Sequence, residues 1–364
     1  MPSAQSYTLA AYDIGTAGAT LSGQYSGATQ KPSEVGFEYG TSPALGQKVV
    51  ATTPSGTNGY FTATISGLNN STTYYARAYV VVYGTEDFAS QSQTFFGETI
   101  EFSTIATSPA MARSWAELPA ARSLANYEVA AHDKLPSNSK LRNYSYGFDK
   151  EKYCALWVAY PLHSCYLGST SRTDAFGYDP YFIDDSYEAN IGSNAYYPRN
   201  GETFSHSRGH QLPSADRNAS VEDNYTTFYA TNMTPQLQDL NGGKWQTLES
   251  KVRNNICSDT LYVVTGAHFD GSQGVAYDNK GKGKACPVPT HYYKVLLRTK
   301  SGSTGKKVAE CTANELQCIG FWIEHSASAT MQTKSVAEIE ALTGFTFFVN
   351  VPNAPKSTYN ASDW

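Results

Sequence analysis

The sequence lacks any long apolar run and any excess of positive charge. No stretch of about 18 consecutive apolar residues occurs, so no segment is predicted to cross a membrane as a helix. Charged residues make up only 16% of the 364 residues and the net charge is −5, so composition gives no support to nucleic-acid binding. Any such activity must come from a local cluster of side chains.

The sequence also lacks a Cys-x-x-Cys pair, although it contains six cysteines. That absence argues against a structural zinc site, and an even cysteine count favours disulfide bonds, which indicate an exported protein. Cys311 and Cys318 are the first expected pair, because they are seven residues apart and can close a tight loop between strand-like runs. The expected pairs are Cys311 with Cys318, Cys257 with Cys286, and Cys154 with Cys165.

A charged and apolar leader is missing from the start of the chain, where Met-Pro-Ser-Ala-Gln leads directly into strand-like sequence. We expect a signal peptide to have been removed and the protein to be secreted or located at the cell surface. A periplasmic location and a lipid anchor are both compatible with this expectation. Sequons at Asn218, Asn224 and Asn232 crowd the segment that carries the candidate site, where a glycan would obstruct it. A bacterial source is therefore expected.

The chain does contain two regions of different patterning, which predict a multidomain protein. In residues 1–104, short strand-like runs between Gly, Ser, Pro and Asn clusters predict an all-β sandwich. Residues 105–125 lack a period and are predicted to be a linker, and residues 126–364 are predicted to form an α+β domain. The runs that predict strands are Ala19–Tyr25, Glu34–Tyr39, Tyr60–Ile65, Thr73–Tyr83, Thr99–Phe102, Ala155–Tyr160, Leu261–Thr265, Tyr292–Leu297 and Ile319–Ile323.

The clearest helix is predicted from about Asn241 to Cys257. Leu248, Val252 and Ile256 recur every four residues there, as the core-facing positions of a helix do. The helix carries several of the candidate site residues below.

The run from Leu68 to Tyr79, Leu-Asn-Asn-Ser-Thr-Thr-Tyr-Tyr-Ala-Arg-Ala-Tyr, resembles the turn and following strand of fibronectin type III domains. In that resemblance Tyr74 takes the tyrosine-corner position. It implies an immunoglobulin or fibronectin III-like sandwich that serves as a spacer or a binding module.

Three linked blocks in the second region carry the chemistry. They are Arg208-Gly-His210, then Asn232-x-x-Pro235-Gln236, then Asn241-x-x-x-Trp245-x-x-Leu248-Glu249-x-x-x-Arg253. Together they resemble the DNA/RNA non-specific endonuclease family, the Serratia-type nucleases, whose site is a ββα-metal or His-Me finger. With weaker matches, the resemblance spans about residues 126–352.

The resemblance implies a role for each matched residue. His210 would be the general base, a task that suits imidazole because its pKa lies near working pH. Asn241 would be the sole protein ligand of Mg²⁺, for which Mn²⁺ or a similar divalent ion can substitute. Glu249, eight residues along the same helix, would hydrogen-bond water on the ion. The remaining roles are phosphate neutralisation by Arg208, Arg253 and Arg172, and support of the helix by Asn232 and Gln236.

Plainer explanations remain open for several of these side chains. Asn241 could cap a helix, Glu249 could be an exposed partner of Arg253, and Arg172 could be a solvated surface arginine. Trp245 is interpreted as a packing anchor, and the lysines at 280, 282 and 284 as a flexible solvated loop that could instead grip phosphates. Ser207 stands where most members of the family have Asp.

The leading hypothesis is a secreted, Mg²⁺-dependent endonuclease that hydrolyses DNA and RNA to 5′-phosphate products. One alternative is a catalytically weak or inactive nuclease-like binding protein at the cell surface. Another is a surface adhesion protein whose sandwich binds glycans, which predicts exposed aromatic side chains on the first domain.

Overall fold

In the computed structural model the described residues are 1–84, 91–105, 114–181, 185–192, 195–197, 206–271 and 274–364. The chain divides into two compact units. The first comprises Met1–Pro109 and Gly177–Asp185, and the second comprises Ala110–Phe176 and Ser186–Trp364. Part of the predicted linker, residues 106–113, lies outside the described residues.

The first unit is built from two antiparallel sheets. One has the strand order β1-β2-β5, and the other has the order β4-β3-β6-β7, with β8 also paired to β6. The strands are β1 (Gln5–Thr8), β2 (Ala19–Ser26), β3 (Glu34–Gly40), β4 (Gln47–Ala51), β5 (Gly59–Ile65), β6 (Thr73–Tyr83), β7 (Ser92–Phe96) and β8 (Ile100–Ser103).

Alternating side chains explain this pairing. Along β6 every second residue from Tyr74 is buried, and these residues join the core of the unit with Val35, Phe37 and Phe61. The five strands expected from the sequence in this region are all present, within a residue or two of their predicted ends. Pro180, in the segment that returns to this unit, packs so closely that a Cβ at Gly15 would lie 2.5 Å from its carbonyl oxygen.

The second unit is organised by one antiparallel sheet of seven strands, in the order β19-β18-β17-β14-β11-β10-β9. Two small hairpins, β12-β13 and β15-β16, lie outside it. The strands are β9 (Tyr127–His132), β10 (Tyr144–Asp149), β11 (Cys154–Leu162), β12 (Ser207–His210), β13 (Met233–Gln236), β14 (Leu261–His268), β15 (Val275–Tyr277), β16 (Ala285–Pro287), β17 (His291–Thr299), β18 (Leu316–Glu324) and β19 (Gln332–Lys334).

Helices in the described part of this unit are short, so the predicted α+β domain is mostly β in the structure. The α-helices are α1 (Val221–Tyr225), α2 (Gln246–Asn254), α3 (Asp278–Gly281) and α4 (Val336–Thr343). Single 3-10 turns occur at Ser164–Tyr166, Asp185–Tyr187, Ser214–Asp216, Thr226–Phe228, Ala230–Asn232, Val308–Glu310, Ala313–Glu315 and Ala361–Asp363. None of the helices among the described residues is both long and apolar enough to cross a membrane.

The two faces of the seven-stranded sheet have different roles. Tyr293, Val295 and Leu297 of β17 face an apolar core closed by α4 and the segment after it. Tyr292, which alternates with them, faces the other side, where its hydroxyl donates to the Pro235 carbonyl oxygen at 3.0 Å. That second face therefore supports the β12-β13 hairpin and the helix that follows it.

The prediction of disulfide bonds is wrong for this structure, because all six cysteines are free thiols. Cys257 donates to the Asp259 carbonyl oxygen at 3.1 Å, and Cys311 donates to the Lys307 carbonyl oxygen at 3.6 Å. Cys154 is buried at the start of β11, whereas its expected partner Cys165 is exposed. An even cysteine count carries no information about where the fold places the thiols.

The lysine-rich segment 280–284 also differs from the flexible loop that was expected. It overlaps α3, and the Lys284 ammonium donates to the Glu188 carbonyl oxygen at 2.5 Å. The Lys280 side chain lies outside the described residues.

Candidate active site

His210 is the last residue of β12, whose pairing with β13 fixes its position. Gly209 of this strand faces Thr234 in register, and a Cβ at Gly209 would lie 2.6 Å from the Cβ and side-chain oxygen of Gln236. Only glycine allows the two strands to approach this closely. The glycine of the Arg-Gly-His sequence is therefore required by the packing of the two strands, whereas Arg208 and His210 are the residues with a predicted chemical role.

The His210 imidazole lies among aromatic rings. It is 8% exposed and packs edge-on against Phe228 at 4.9 Å and Phe176 at 6.0 Å between ring centroids. Its Nε2 has no hydrogen-bond partner among the described residues. Burial, reinforced by the positive charge of Arg172, lowers the pKa of His210 well below its ordinary value. The ring is therefore neutral at pH 7.

Asn241 is the second residue of a π-helical turn, and Gln238 and Asp239 before it are already helical. Residues Leu240–Trp245 form a wide π-helical turn, broken at Gly243, where ψ is −107°, and α2 continues from it. Trp245 is 1% exposed and its ring lies 5.4 Å from that of Tyr292, so it anchors the turn to the sheet. The predicted helix is thus present, but α2 ends at Asn254, so Ile256 lies beyond it.

A cavity of about 420 Å³ brings the predicted residues together. Those that line it include Arg172, Arg208, His210, Asn241, Glu249 and Arg253, together with Thr170, Ser214, Gln238 and Gln246. The lining residues come from β12, residues 213–218 after it, the π-helical turn with Gln238 before it, α2 and the segment near residue 170. Separate sequence blocks therefore meet at one concave surface.

The three predicted phosphate-binding arginines are held to different degrees. Arg253 donates to the buried Asp216 carboxylate at 2.8 Å, and Asp216 also accepts from the Tyr160 hydroxyl at 3.0 Å. Arg208 donates to the Ile191 carbonyl oxygen at 3.1 Å, and its guanidinium lies 3.4 Å from the centroid of the Phe176 ring.

Arg172 is the most exposed of the three. It pairs with the exposed Asp174 carboxylate at 2.6 Å, and its guanidinium lies 4.8 Å from the centroid of the Phe228 ring. An exposed ion pair of this kind is weak and readily exchanged for another anion.

Glu249 lies on α2 among other charges. Burial raises the pKa of its carboxyl group, while the Lys294 ammonium is the largest influence in the opposite direction. Arg253 forms its ion pair with Asp216. The simple surface pair of Glu249 with Arg253, the plainer explanation, does not occur among the ion pairs of the described residues.

Asn232 and Gln236 lie behind the cavity and do not line it. The Asn232 side-chain amide donates to the carbonyl oxygens of Leu212 at 2.9 Å and Thr227 at 2.8 Å, and its oxygen accepts from the Leu212 amide at 2.8 Å. Gln236 is 1% exposed beside Gly209. Their positions fit a supporting role for the loops next to His210.

The Ser207 hydroxyl donates to the side-chain oxygen of Gln238, which lines the cavity next to Asn241. Sequence reasoning missed Gln238 and the anchor Asp216. It also missed Lys294, although a lysine inside the apolar run Tyr292–Leu297 is a visible signal.

The oxygen atoms at the cavity fit a hydrated divalent cation. In the part of the chain that the structure describes, no group of three or more His, Cys, Asp or Glu side chains is arranged to hold a metal directly. Asn241, Gln238 and Glu249 supply amide and carboxylate oxygens, the donors that Mg²⁺ prefers, and this ion keeps several waters. A volume of about 420 Å³ has room for such a hydrated ion, because each water occupies about 30 Å³.

Comparisons with known proteins point to one family. The profile of DNA/RNA non-specific endonucleases matches residues 125–354. A nuclease from Nostoc sp. is 31% identical over 253 residues, which cover 66% of this chain and 85% of the relative. Human mitochondrial endonuclease G is 32% identical over 180 residues, covering 46% of this chain and 58% of the relative.

A nuclease from Serratia marcescens is 37% identical over 97 residues, covering 26% of this chain and 35% of the relative. Among solved structures, that of an EndoG/EndoGI complex aligns with a TM-score of 0.43 and 22% identity, covering 57% of this chain and 84% of that chain. The chain thus spans most of the Nostoc relative and just over half of the human one.

Proposed function

The chain belongs to the DNA/RNA non-specific endonuclease family and is a nuclease, and on that premise we propose that it is a Mg²⁺-dependent endonuclease that cleaves both DNA and RNA to 5′-phosphate products. One observation carries the proposal. The six residues to which the sequence assigns catalysis, phosphate binding and metal binding all line one cavity of about 420 Å³. Convergence of these side chains is what in-line hydrolysis of a phosphodiester requires.

In this mechanism His210 takes the proton from the attacking water. A general base must be unprotonated and must have a free acceptor atom. The lowered pKa of His210 meets the first condition, and its Nε2, without a protein partner in the described chain, meets the second. The rings of Phe176 and Phe228 hold the imidazole in one orientation.

The arginines bind and orient the phosphate. Planar guanidinium groups match phosphate oxygens in pairs and stabilise the charge that builds up in the transition state. Arg253 keeps a fixed position through Asp216, and Arg208 through the Ile191 carbonyl oxygen. Arg172 can exchange its exposed partner Asp174 for substrate.

Asn241 would hold the Mg²⁺ ion, and Glu249 would accept hydrogen bonds from water on it. When bound, the ion supplies polarisation of the scissile phosphate and stabilisation of the departing 3′ oxygen. Mn²⁺, which also takes oxygen ligands, should substitute for it.

The deciding experiment incubates the protein with plasmid DNA and with RNA, each with Mg²⁺ or with a chelator. We expect metal-dependent cleavage of both polymers and ligatable 5′-phosphate ends. Binding of either polymer without cleavage would instead favour the alternative that the protein is a catalytically weak or inactive nuclease-like binding protein. That alternative remains because Ser207 replaces the Asp that most members of the family have. Cleavage that persists in chelator would contradict the role of Asn241.

We also propose that the protein is exported by a bacterium. The free thiols remove the support that disulfides would have given. The remaining support is that Asn224 and Asn232, both sequon asparagines, are fully buried and hydrogen-bonded, so glycans added during eukaryotic secretion would prevent this fold. Relatives from Nostoc and Serratia agree with a bacterial source.

For the first unit we propose a fibronectin III-like binding module. The Tyr74 hydroxyl accepts a hydrogen bond from the Asn69 amide at 2.9 Å, a contact typical of a tyrosine corner. Tyr7 and Tyr60 are 43% and 45% exposed. They lie on the two strands that flank β2 and both pair in register with Gln24 of that strand, so their side chains share one face of the sheet. If this face binds glycans, polysaccharide in a native gel should slow the migration of the wild-type protein, and Tyr60→Ala should abolish that retardation. Equal retardation of the two proteins would contradict glycan binding by this face.

A further inference from the structure

Lys294 is a buried charge that none of the steps above uses. It lies in the middle of β17 and is 0% exposed. Burying an ammonium group is costly unless other groups compensate for its charge. The surroundings of this lysine therefore need an explanation.

Its contacts reach both halves of the candidate site. The ammonium donates to the Thr265 hydroxyl at 3.1 Å and to the Gln211 carbonyl oxygen at 3.4 Å, and it lies 4.7 Å from the centroid of the Trp245 ring. Gln211 directly follows His210, and Trp245 precedes Glu249 by one helical turn. One side chain thus contacts the strand of the base and the helix of the metal ligand.

Two carboxylates lie near this ammonium, and they are not equivalent. Asp216 already binds Arg253 at 2.8 Å and Tyr160 at 3.0 Å. Glu249 has no direct ion-pair partner among the described residues, and Lys294 is the cation that most stabilises its charged form. Reciprocally, Glu249 is the group that most strongly opposes the lowering of the Lys294 pKa by burial.

We propose that Lys294 is a positioning residue for catalysis, which supplies the buried positive charge that balances Glu249 and joins the helix of Asn241 to the strand of His210. This inference rests on the proposed nuclease function for its kinetic consequences. Its electrostatic part, the compensation between Lys294 and Glu249, does not depend on that function.

The kinetic test is Lys294→Met, which keeps most of the side-chain volume and removes the charge. We expect kcat on plasmid DNA to fall tenfold to a hundredfold while KM changes less than threefold, because Lys294 does not line the cavity and so should not contact substrate. The matched control is Val295→Ala, also fully buried in β17 but facing the opposite core. The control should lower the unfolding midpoint and leave kcat within twofold.

The electrostatic test compares unfolding midpoints of Lys294→Met, Glu249→Gln and the double variant. Tryptophan fluorescence reports on the second unit alone, because all five tryptophans lie there. At pH 8, above the pKa of about 7 that burial gives the Glu249 carboxyl, we expect Lys294→Met to lower the midpoint and Glu249→Gln to recover part of the loss in that background, since it removes a carboxyl group whose charge is no longer compensated. Additive effects of the two substitutions would overturn the charge pairing.

Wild-type kcat in Lys294→Met would overturn the positioning role. If the protein cleaves neither polymer, the proposed function fails, but the unfolding midpoints still decide the charge pairing. If Lys294→Met does not fold, Thr265→Val removes one acceptor of the ammonium at nearly constant volume and should lower kcat about threefold with unchanged KM. Unchanged kcat in that variant would contradict the proposal as well.

Discussion

At the scale of single residues, the environment of His210 fixes its protonation state. An exposed histidine would be half protonated near pH 6.5, and a base lost to protonation would cost activity below that pH. In this structure burial and Arg172 lower the pKa of His210, so the base stays unprotonated as the pH falls through that range. Because His210 is only 8% exposed, its replacement by a smaller residue leaves a cavity.

We therefore predict that His210→Ala lowers kcat by about 10²-fold or more. Between pH 8 and 6.5, wild-type kcat/KM should show an acid limb near pH 7 that belongs to Glu249, because burial raises the pKa of Glu249 to about 7 and lowers that of His210 well below its ordinary value. The matched control is His163→Ala, a histidine that does not line the cavity, which should retain full activity. Plasmid relaxation rates across this pH range provide the measurement. Retained activity in His210→Ala would contradict the assignment.

His325 is the residue through which acid should destabilise the site. Its Nε2 accepts from the Leu237 amide at 2.8 Å, its Nδ1 donates to the Pro289 carbonyl oxygen at 2.7 Å, and burial lowers its pKa to about 4. The unfolded chain takes up a proton near pH 6.5 and the folded chain does not, so stability is full above pH 6.5 and is lost progressively towards pH 4.

We predict that the second unit loses about 2 kcal/mol more between pH 7 and pH 5 in the wild type than in His325→Asn. Urea unfolding followed by tryptophan fluorescence at the two pH values measures this difference. His206, whose pKa is lowered to about 4 by burial and secondarily by the charge of His325, remains in both proteins and contributes most of its acid sensitivity to both. Equal losses in the two proteins would remove His325 as the acid-sensitive group.

At the scale of elements, the hairpin of β12 and β13 is the part of the site least tolerant of added atoms. Gly209→Ala would place a Cβ 2.6 Å from Gln236, and the two strands would have to separate. We expect a loss of about 1–3 kcal/mol and a fall in kcat of at least tenfold, because His210 is the next residue. Gly274→Ala is the control, since a Cβ there meets nothing within 4 Å. Equal behaviour of the two variants in unfolding and cleavage assays would contradict the packing argument.

The elements differ in how far the sequence could predict them. Both ends of the strand Thr73–Tyr83 were predicted correctly. The run is rich in β-branched and aromatic residues, which favour strands, and every second residue from Tyr74 is buried. The strands β4 and β7 were missed because they lie at sheet edges and most of their residues are exposed, which leaves no apolar alternation to detect. Short motifs identified six of the cavity-lining residues, whereas Gln238 was missed and contacts such as Asp216 with Arg253 span 37 residues and depend on the tertiary fold.

At the scale of the whole molecule, the chain path links the first unit to a residue of the candidate site. Phe176, whose ring packs against Arg208, Phe228 and His210, is followed directly by Gly177–Asp185, which belongs to the first unit. Every predicted catalytic position follows residue 171, which by itself predicts that deletion of residues 1–104 leaves turnover on short substrates nearly unchanged. Deletion of residues 1–109 instead removes the packing partners of that segment, including Gly15 against Pro180.

We predict that this deletion leaves a folded second unit whose kcat on short oligonucleotides is lower by several-fold. Loss of the partners of residues 177–185 should allow Phe176 to leave the ring of His210. Cleavage rates and tryptophan fluorescence of the truncated and full chains test this together. Wild-type kcat in the folded truncation would show that contacts within the second unit are sufficient to hold Phe176.

The return of Gly177–Asp185 to the first unit also means that one cut cannot release either half of the protein. A protease nick between residues 106 and 113 leaves residues 177–185 covalently attached to the later fragment while they remain packed in the earlier one. The nicked fragments should therefore co-elute in gel filtration and separate only in denaturant. During synthesis, the first unit cannot complete its packing until the ribosome has passed residue 185, so its maturation must wait until about half of the whole chain, including residues 125–185 of the nuclease region, has been made.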